Sequence, residues 1–167
     1  MMNSNILLAV NGTLMRGLKL NPNMLAVGAE FVSNAYTAPC YRCWTINDDH
    51  PGMLRTPGEG ARIALELWAV PPAGLGKILQ NEPAGLCIGK VELDDGREVL
   101  GVLAEPWLVE GQKEITQLGG WRAYTGQLLD EQQIRRASCV LSLLLFAPNS
   151  GCQAISTPFS VCSPMCC

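Results

Sequence analysis

The chain has 167 residues, of which 48% are hydrophobic and 16% are charged, and its formal net charge is −3. This composition fits one domain with a hydrophobic core and excludes disorder across the whole chain. The twelve basic residues are scattered, whereas nucleic-acid binding needs clustered Lys and Arg, so we expect no nucleic-acid partner. The sequence has neither an apolar run of about 18 residues nor a secretory signal, so we expect a cytoplasmic protein with no membrane partner.

The first half of the chain is predicted to form mainly short strands. Ile6–Val10 is an apolar strand that runs into a loop at Gly12. A loop or short helix over 20–27 follows and ends at Gly28. Further strands are predicted over 30–33, 38–45, 53–55 and 61–70, with a turn over 47–52 between the second and third of these.

The second half adds one helix and a hairpin. Pro71 and Pro72 end the preceding strand, and a proline is tolerated at a helix start, so we predict a helix over Pro72–Gln80. Strands over 87–93 and 98–105 flank Asp94-Asp95-Gly96-Arg97, which is the strongest hairpin signal in the chain. Strands joined by few short helices predict an α+β domain built around a curled sheet or a small β-barrel.

The composition changes towards the end of the chain. We predict a domain over residues 1–125 and an appended, poorly ordered tail over 126–167. From residue 137 onward the sequence is rich in Ser, Pro and Cys and contains an eight-residue apolar run at 139–146. This run is too short to cross a bilayer.

The eight cysteines raise the question of metal binding. Cys40 and Cys43 have a CxxC spacing, but a closed zinc site needs a second such pair, and Cys162 with Cys166 is a poor match. Residues three apart in a strand also point to opposite faces. We therefore expect reduced thiols, no metal site and no cofactor.

The loop after the first strand is the strongest candidate for a binding site. Its bend at Gly12 leaves several consecutive backbone N–H groups at the end of a buried strand, and such a concavity binds anionic or carbonyl oxygens. The guanidinium of Arg16 adds a forked donor. The pattern predicts a site for a small polar ligand, a carboxylate or an amide, lined by Asn11, Gly12, Thr13, Leu14 and Arg16.

These residues carry a family resemblance. The segment from Val10 to Gly17 resembles the opening motif of the gamma-glutamyl cyclotransferase-like fold. Later segments resemble more specifically the C-terminal domain of allophanate hydrolases, above all Gly89-Lys90-Val91-Glu92-Leu93 and Gly119-Gly120-Trp121-Arg122-Ala123-Tyr124. The similarity runs in order over residues 6–124. The amidase domain that precedes this domain in allophanate hydrolases is missing, so the resemblance implies a free-standing relative.

The resemblance implies two chemistries. In cyclotransferases a glutamate after the short helix takes a proton from the substrate's α-amine, which then attacks its own γ-carbonyl, and matching the segments gives Glu82 this position. Partial burial suits a carboxylate to this task because desolvation raises its pKa. The allophanate hydrolase domain commonly has an apolar residue there, and its reaction is the decarboxylation of a small carboxylated carbamate. A third hypothesis is a non-catalytic partner of a separate amidase.

The sequence also indicates where five other side chains lie. His50 lies in the predicted turn, where we expect it to be exposed rather than to act as a base. Trp68, Trp107 and Trp121 are expected to lie in the core, because each falls in an apolar or strand-like segment. Arg122, next to Trp121, is expected to reach a ligand carboxylate.

Overall fold

The computed structural model describes residues 5–126, so the predicted tail lies outside the described residues except for Gly126. Besides a helical stretch over 121–126, two α-helices and eight strands lie within this range. They are, in chain order, β1 (Ile6–Val10), α1 (Asn21–Ala26), β2 (Glu30–Tyr36), β3 (Tyr41–Ile46), β4 (His50–Arg55), β5 (Ala64–Val70), α2 (Pro72–Gln80), β6 (Leu86–Glu92), β7 (Glu98–Ala104) and β8 (Lys113–Glu114). Short 3-10 helices cover Pro106–Val109 and Thr116–Leu118.

Strand β1 is the middle strand of a five-stranded sheet with the order β2-β5-β1-β7-β6. It runs antiparallel to β5 and parallel to β7. Its last three residues, Leu8, Ala9 and Val10, are buried, as expected for a continuous apolar run with neighbours on both sides. The first loop therefore begins at the buried end of β1.

The five-stranded sheet curls until its two edge strands meet at one end. The residues just after β2 and β6, Thr37 and Leu93, form an isolated antiparallel bridge. The Ala38 N–H donates a hydrogen bond of 2.9 Å to the Glu92 carbonyl beside it. The described residues form no closed barrel, so the prediction of an α+β fold around a curled sheet is confirmed.

A second sheet of three strands, β4-β3-β8, packs beside the first. Asn47 and Asp48 both have positive φ and turn the chain from β3 to β4, the conformation that tight hairpins favour. The predicted turn over 47–52 is therefore too long, because Pro51 and its neighbours already pair with β3. A proline fits here because β4 is an edge strand, on which a missing N–H is tolerated.

The helices, and the burial of two of the three tryptophans, agree with the predictions from the sequence. Helix α2 has the predicted bounds, and Gly28 follows α1 with a φ of +73°. Trp68 and Trp121 are buried, but the prediction for Trp107 is wrong, since 54% of its surface is exposed. Trp107 lies in a 3-10 helix, where its ring covers Gly85, and its indole N–H donates to the Glu105 carboxylate.

Candidate functional site

The first loop begins with a buried amide and a tight turn. Asn11 is buried, and the Met15 N–H donates a 3.0 Å hydrogen bond to the Gly12 carbonyl. A Cβ atom at Gly12 would lie 2.6 Å from Cγ of Pro51, a distance that side-chain carbons do not reach without displacement. The close approach of β4 therefore explains why a glycine stands at this position.

Glu82 lies just beyond α2 and turns its carboxyl group inward. Its backbone N–H donates a 3.2 Å hydrogen bond to the Leu79 carbonyl, which continues the last turn of the helix. The carboxyl is largely buried, and its Oε1 atom is fully buried without a hydrogen-bond partner. Burial raises the pKa of Glu82 from 4.5 to about 7, because the charged form loses its hydration.

Glu82 and the first loop line the same cavity, which has a volume of about 20 Å³. Three side chains in residues 5–126 have a buried polar atom without a partner, and two of them, Asn11 and Glu82, line this cavity. Buried polar atoms normally find partners, so two such atoms facing one cavity indicate a ligand or a water there. The cavity is lined by Val10, Asn11, Gly12, Thr13, Leu14, His50, Pro51, Glu82, Leu86 and Val102.

The backbone of the loop also leaves donors without acceptors. None of the loop hydrogen bonds found in the described part of the chain starts at the N–H of Gly12, Thr13 or Leu14. Three successive N–H groups beside a cavity can bind the oxygens of a carboxylate or an oxyanion. The arrangement thus offers hydrogen-bond donors on the loop and a titratable carboxyl at Glu82.

His50 also lines this cavity, and the expectation that it is exposed is wrong. Only 8% of its surface is exposed, because it begins β4 instead of lying in the turn before it. Its Nδ1 atom lies 3.2 Å from the Pro51 carbonyl. Because a carbonyl oxygen only accepts, this contact assigns the donor role to Nδ1, and in a neutral ring with that proton Nε2 is the acceptor. The expectation of exposure rested on Pro51, which is typical of turns but here lies in an edge strand.

The structure places Arg16 and Arg122 away from this cavity. Both bind Glu66, which is only 2% exposed and lies on β5. The Arg16 side chain donates through Nε over 3.2 Å, and Arg122 donates through a terminal nitrogen over 3.0 Å. The two arginines line a second cavity of about 480 Å³, which shares no lining residue with the first. The seven residues that the sequence assigns to one site are therefore divided between two cavities.

The cysteines of the described residues form no disulfide and no metal site. Cys40, Cys43 and Cys87 are free, and burial raises the pKa of the Cys43 thiol to about 12. Between residues 5 and 126 no group of three or more His, Cys, Asp or Glu side chains is arranged to hold a metal ion. Over the same range no helix has the length and apolar character needed to span a membrane.

Comparison of the fold identifies the structural class. An AIG2-like protein from Mus musculus has a TM-score of 0.50 to this chain at 20% identity, covering 63% of this chain and 82% of that protein. The architecture is therefore that of the gamma-glutamyl cyclotransferase-like proteins. At this level of identity the likeness concerns the fold alone.

Comparison of the sequence identifies the family. Residues 6–126 match the family described as the allophanate hydrolase C-terminal domain, and the chain belongs to that family. A solved uropathogenic E. coli-specific protein is 59% identical, with a TM-score of 0.72, over 73% of this chain and 96% of that one. The allophanate hydrolase of Kluyveromyces lactis is 29% identical, with a TM-score of 0.70, over 74% of this chain and 21% of that one.

A curated relative is much longer than this chain. The urea amidolyase of Saccharomyces cerevisiae is 29% identical over 140 residues, which are 80% of this chain and 8% of the yeast protein. The chain thus corresponds to one small part of a large enzyme.

Proposed function

We propose that the chain decarboxylates a small carboxylated carbamate in the cavity between Glu82 and the first loop. The observation that carries the proposal is the set of unpartnered polar groups that line one cavity: the Asn11 amide nitrogen, the Glu82 carboxyl and the loop amides. The family supports the choice of substrate, because similar proteins are named allophanate hydrolase and urea amidolyase.

The size of the cavity favours a small substrate. Its volume of about 20 Å³ holds roughly one water molecule, whereas sites for larger organic ligands usually measure about 300–1,000 Å³. A carbamate with two carboxyl groups has fewer atoms than a γ-glutamyl dipeptide, so the cavity has to widen less to admit it.

The loop supplies the groups that bind the substrate's carboxylates. The N–H groups of Gly12, Thr13 and Leu14 are suited to one carboxylate, and the Asn11 amide nitrogen adds a further donor. The Nε2 atom of His50 is suited to accept the N–H of the substrate. These contacts hold the substrate with its central nitrogen available to a proton donor.

Glu82 supplies the proton. With a pKa of about 7 its carboxyl is roughly half protonated at neutral pH. The substrate nitrogen takes this proton as its bond to the leaving carboxyl carbon breaks, and the electron pair of that bond stays on nitrogen. Carbon dioxide leaves, the product is carbamate, and the Glu82 carboxylate regains a proton from water.

The test supplies the substrate by hydrolysing allophanate with a separate amidase and follows the release of carbon dioxide. The wild-type chain should accelerate the release, and Glu82→Gln should reduce this acceleration by about 10²–10⁴. The matched control is Glu110→Gln, which alters an exposed glutamate outside the cavity and should change nothing. Equal rates for wild type and Glu82→Gln would exclude the proposed role.

A second candidate is intramolecular acyl transfer on a γ-glutamyl amide. The position of Glu82 after α2, across the cavity from the glycine-bearing loop, favours it. In this reaction the Glu82 carboxylate acts as a base on the α-amine and 5-oxoproline is released. Formation of 5-oxoproline from γ-glutamyl dipeptides, with no effect on carbon dioxide release, would support this candidate. If neither reaction occurs and the chain co-purifies with an amidase, it is a non-catalytic partner.

A further inference from the structure

The second cavity combines a large volume with two fixed cations. It measures about 480 Å³, which lies within the range usual for small-molecule sites. Arg16, Arg122 and Glu66 form its charged part, and Met15, Ala35, Leu65 and the Tyr36 ring form its apolar part. We propose that this cavity binds an organic carboxylate with an apolar or aromatic body, independently of the reaction at Glu82.

The two guanidinium groups are held in place by one buried carboxylate. Glu66 accepts four hydrogen bonds, which come from the backbone N–H and the Nε of Arg16, from Arg122, and from the indole of Trp68, over 2.9 to 3.2 Å. Phe31 lies beneath the Arg16 guanidinium, 3.4 Å from its Cζ to the ring centroid. A ligand therefore meets cations whose geometry is already fixed, which reduces the entropy lost on binding.

These arginines retain donors for a ligand. The second terminal nitrogen of Arg16, and both Nε and the second terminal nitrogen of Arg122, have no acceptor among residues 5–126. About half of each side chain is exposed, 47% for Arg16 and 50% for Arg122. The N–H groups without an acceptor thus belong to half-exposed side chains that line the cavity, and a planar carboxylate matches their forked geometry.

The charge balance of the cavity favours an anion. Its lining residues include two arginines and one glutamate, and the remaining six are uncharged, so the lining carries one net positive charge. One arginine is enough to neutralise Glu66. The second arginine leaves a positive charge that a ligand carboxylate can match.

Binding of benzoate, measured by titration calorimetry and by amide chemical shifts, tests the proposal. Benzamide is the matched probe because it keeps the ring and loses the charge. We expect saturable benzoate binding with a dissociation constant on the order of 1 mM, no binding of benzamide, and shifts at residues 34–36 and 64–66. Binding should be at least about tenfold weaker in Arg122→Gln and unchanged in Arg97→Gln, a control at an exposed arginine that does not line the cavity.

A second variant keeps the test decisive if Arg122→Gln does not fold. Ala35→Leu places a larger side chain in the lining of the cavity while both arginines remain, and it should also weaken benzoate binding. Equal binding of benzamide, equal binding by Arg122→Gln or Ala35→Leu, shifts confined to residues 11–14, or no saturation would each overturn the proposal. The readout is binding, so failure here leaves the proposed reaction at Glu82 untouched, and failure of that reaction leaves this proposal untouched.

Discussion

Replacing Glu82 by glutamine should stabilise the fold at alkaline pH while it slows the proposed reaction by about 10²–10⁴. The carboxyl is buried without a hydrogen-bond partner for Oε1, so its ionised form is poorly solvated in the folded state. Glutamine has nearly the same shape and carries no charge at any pH. The variant therefore removes the cost of ionisation and keeps most of the packing around position 82.

The magnitude follows from the pKa of the folded state. Because the pKa of Glu82 rises from 4.5 to about 7 on folding, the folded state holds its proton more tightly than the unfolded state. Wild-type stability should therefore fall as the pH rises from 4.5 to 7 and stay level above that. The full loss is at most about 3 kcal/mol, which for a domain of this size corresponds to a melting temperature lower by roughly 9–15 °C.

The assay compares urea unfolding of wild type, Glu82→Gln and Glu110→Gln between pH 4 and pH 9. The free energy of unfolding of Glu82→Gln, relative to wild type, should increase by up to about 3 kcal/mol across this range. The exposed-site control should show no such increase. A difference between Glu82→Gln and wild type that does not change with pH would refute the burial of this carboxyl.

Three further variants test other parts of the structure. Gly12→Ala pushes a Cβ into the facing proline ring, so it should lose about 1–3 kcal/mol of stability and most of the turnover. The control Gly76→Ala lies in open space on α2 and should gain up to about 1 kcal/mol of stability. Arg16→Ala should lose about 2 kcal/mol in urea unfolding, because it removes one charge-assisted hydrogen bond from the buried Glu66 carboxylate. Arg62→Ala, at an exposed ion pair, should lose less than about 1 kcal/mol. Truncation after Gly126 should leave the melting temperature nearly unchanged, and a large drop would place the domain boundary later.

The local patterns that the sequence carries were enough to predict most elements. Helix α2 follows from its paired prolines and the β6–β7 hairpin from Asp95-Gly96, because both signals act over a few residues. The position of Glu82 opposite the first loop rested on the order of segments within a family. The structure brings the two to one cavity, while their roles stay predictions.

The predictions that the structure does not match concern contacts between residues far apart in the chain. Glu66 lies in an alternating strand, and nothing nearby reveals that its partners are Arg16 and Arg122, 50 and 56 residues away. The sequence therefore placed both arginines in the same binding site as residues 11–14. In the structure both arginines bind Glu66 and line another cavity. His50 was expected to be exposed because Pro51 is typical of turns, and the edge strand that buries it is a property of the sheet.

A single nuclear magnetic resonance titration can decide whether Glu82 and the first loop act as one site. Malonate has the shape of the carboxylated carbamate, with a methylene group in place of the nitrogen. It should shift the amide signals of Gly12, Thr13 and Leu14 saturably and raise the pKa of the Glu82 carboxyl further, because a bound anion disfavours a second negative charge. A Glu82 pKa near 4.5, or malonate shifts confined to Arg16 and Arg122, would contradict the account.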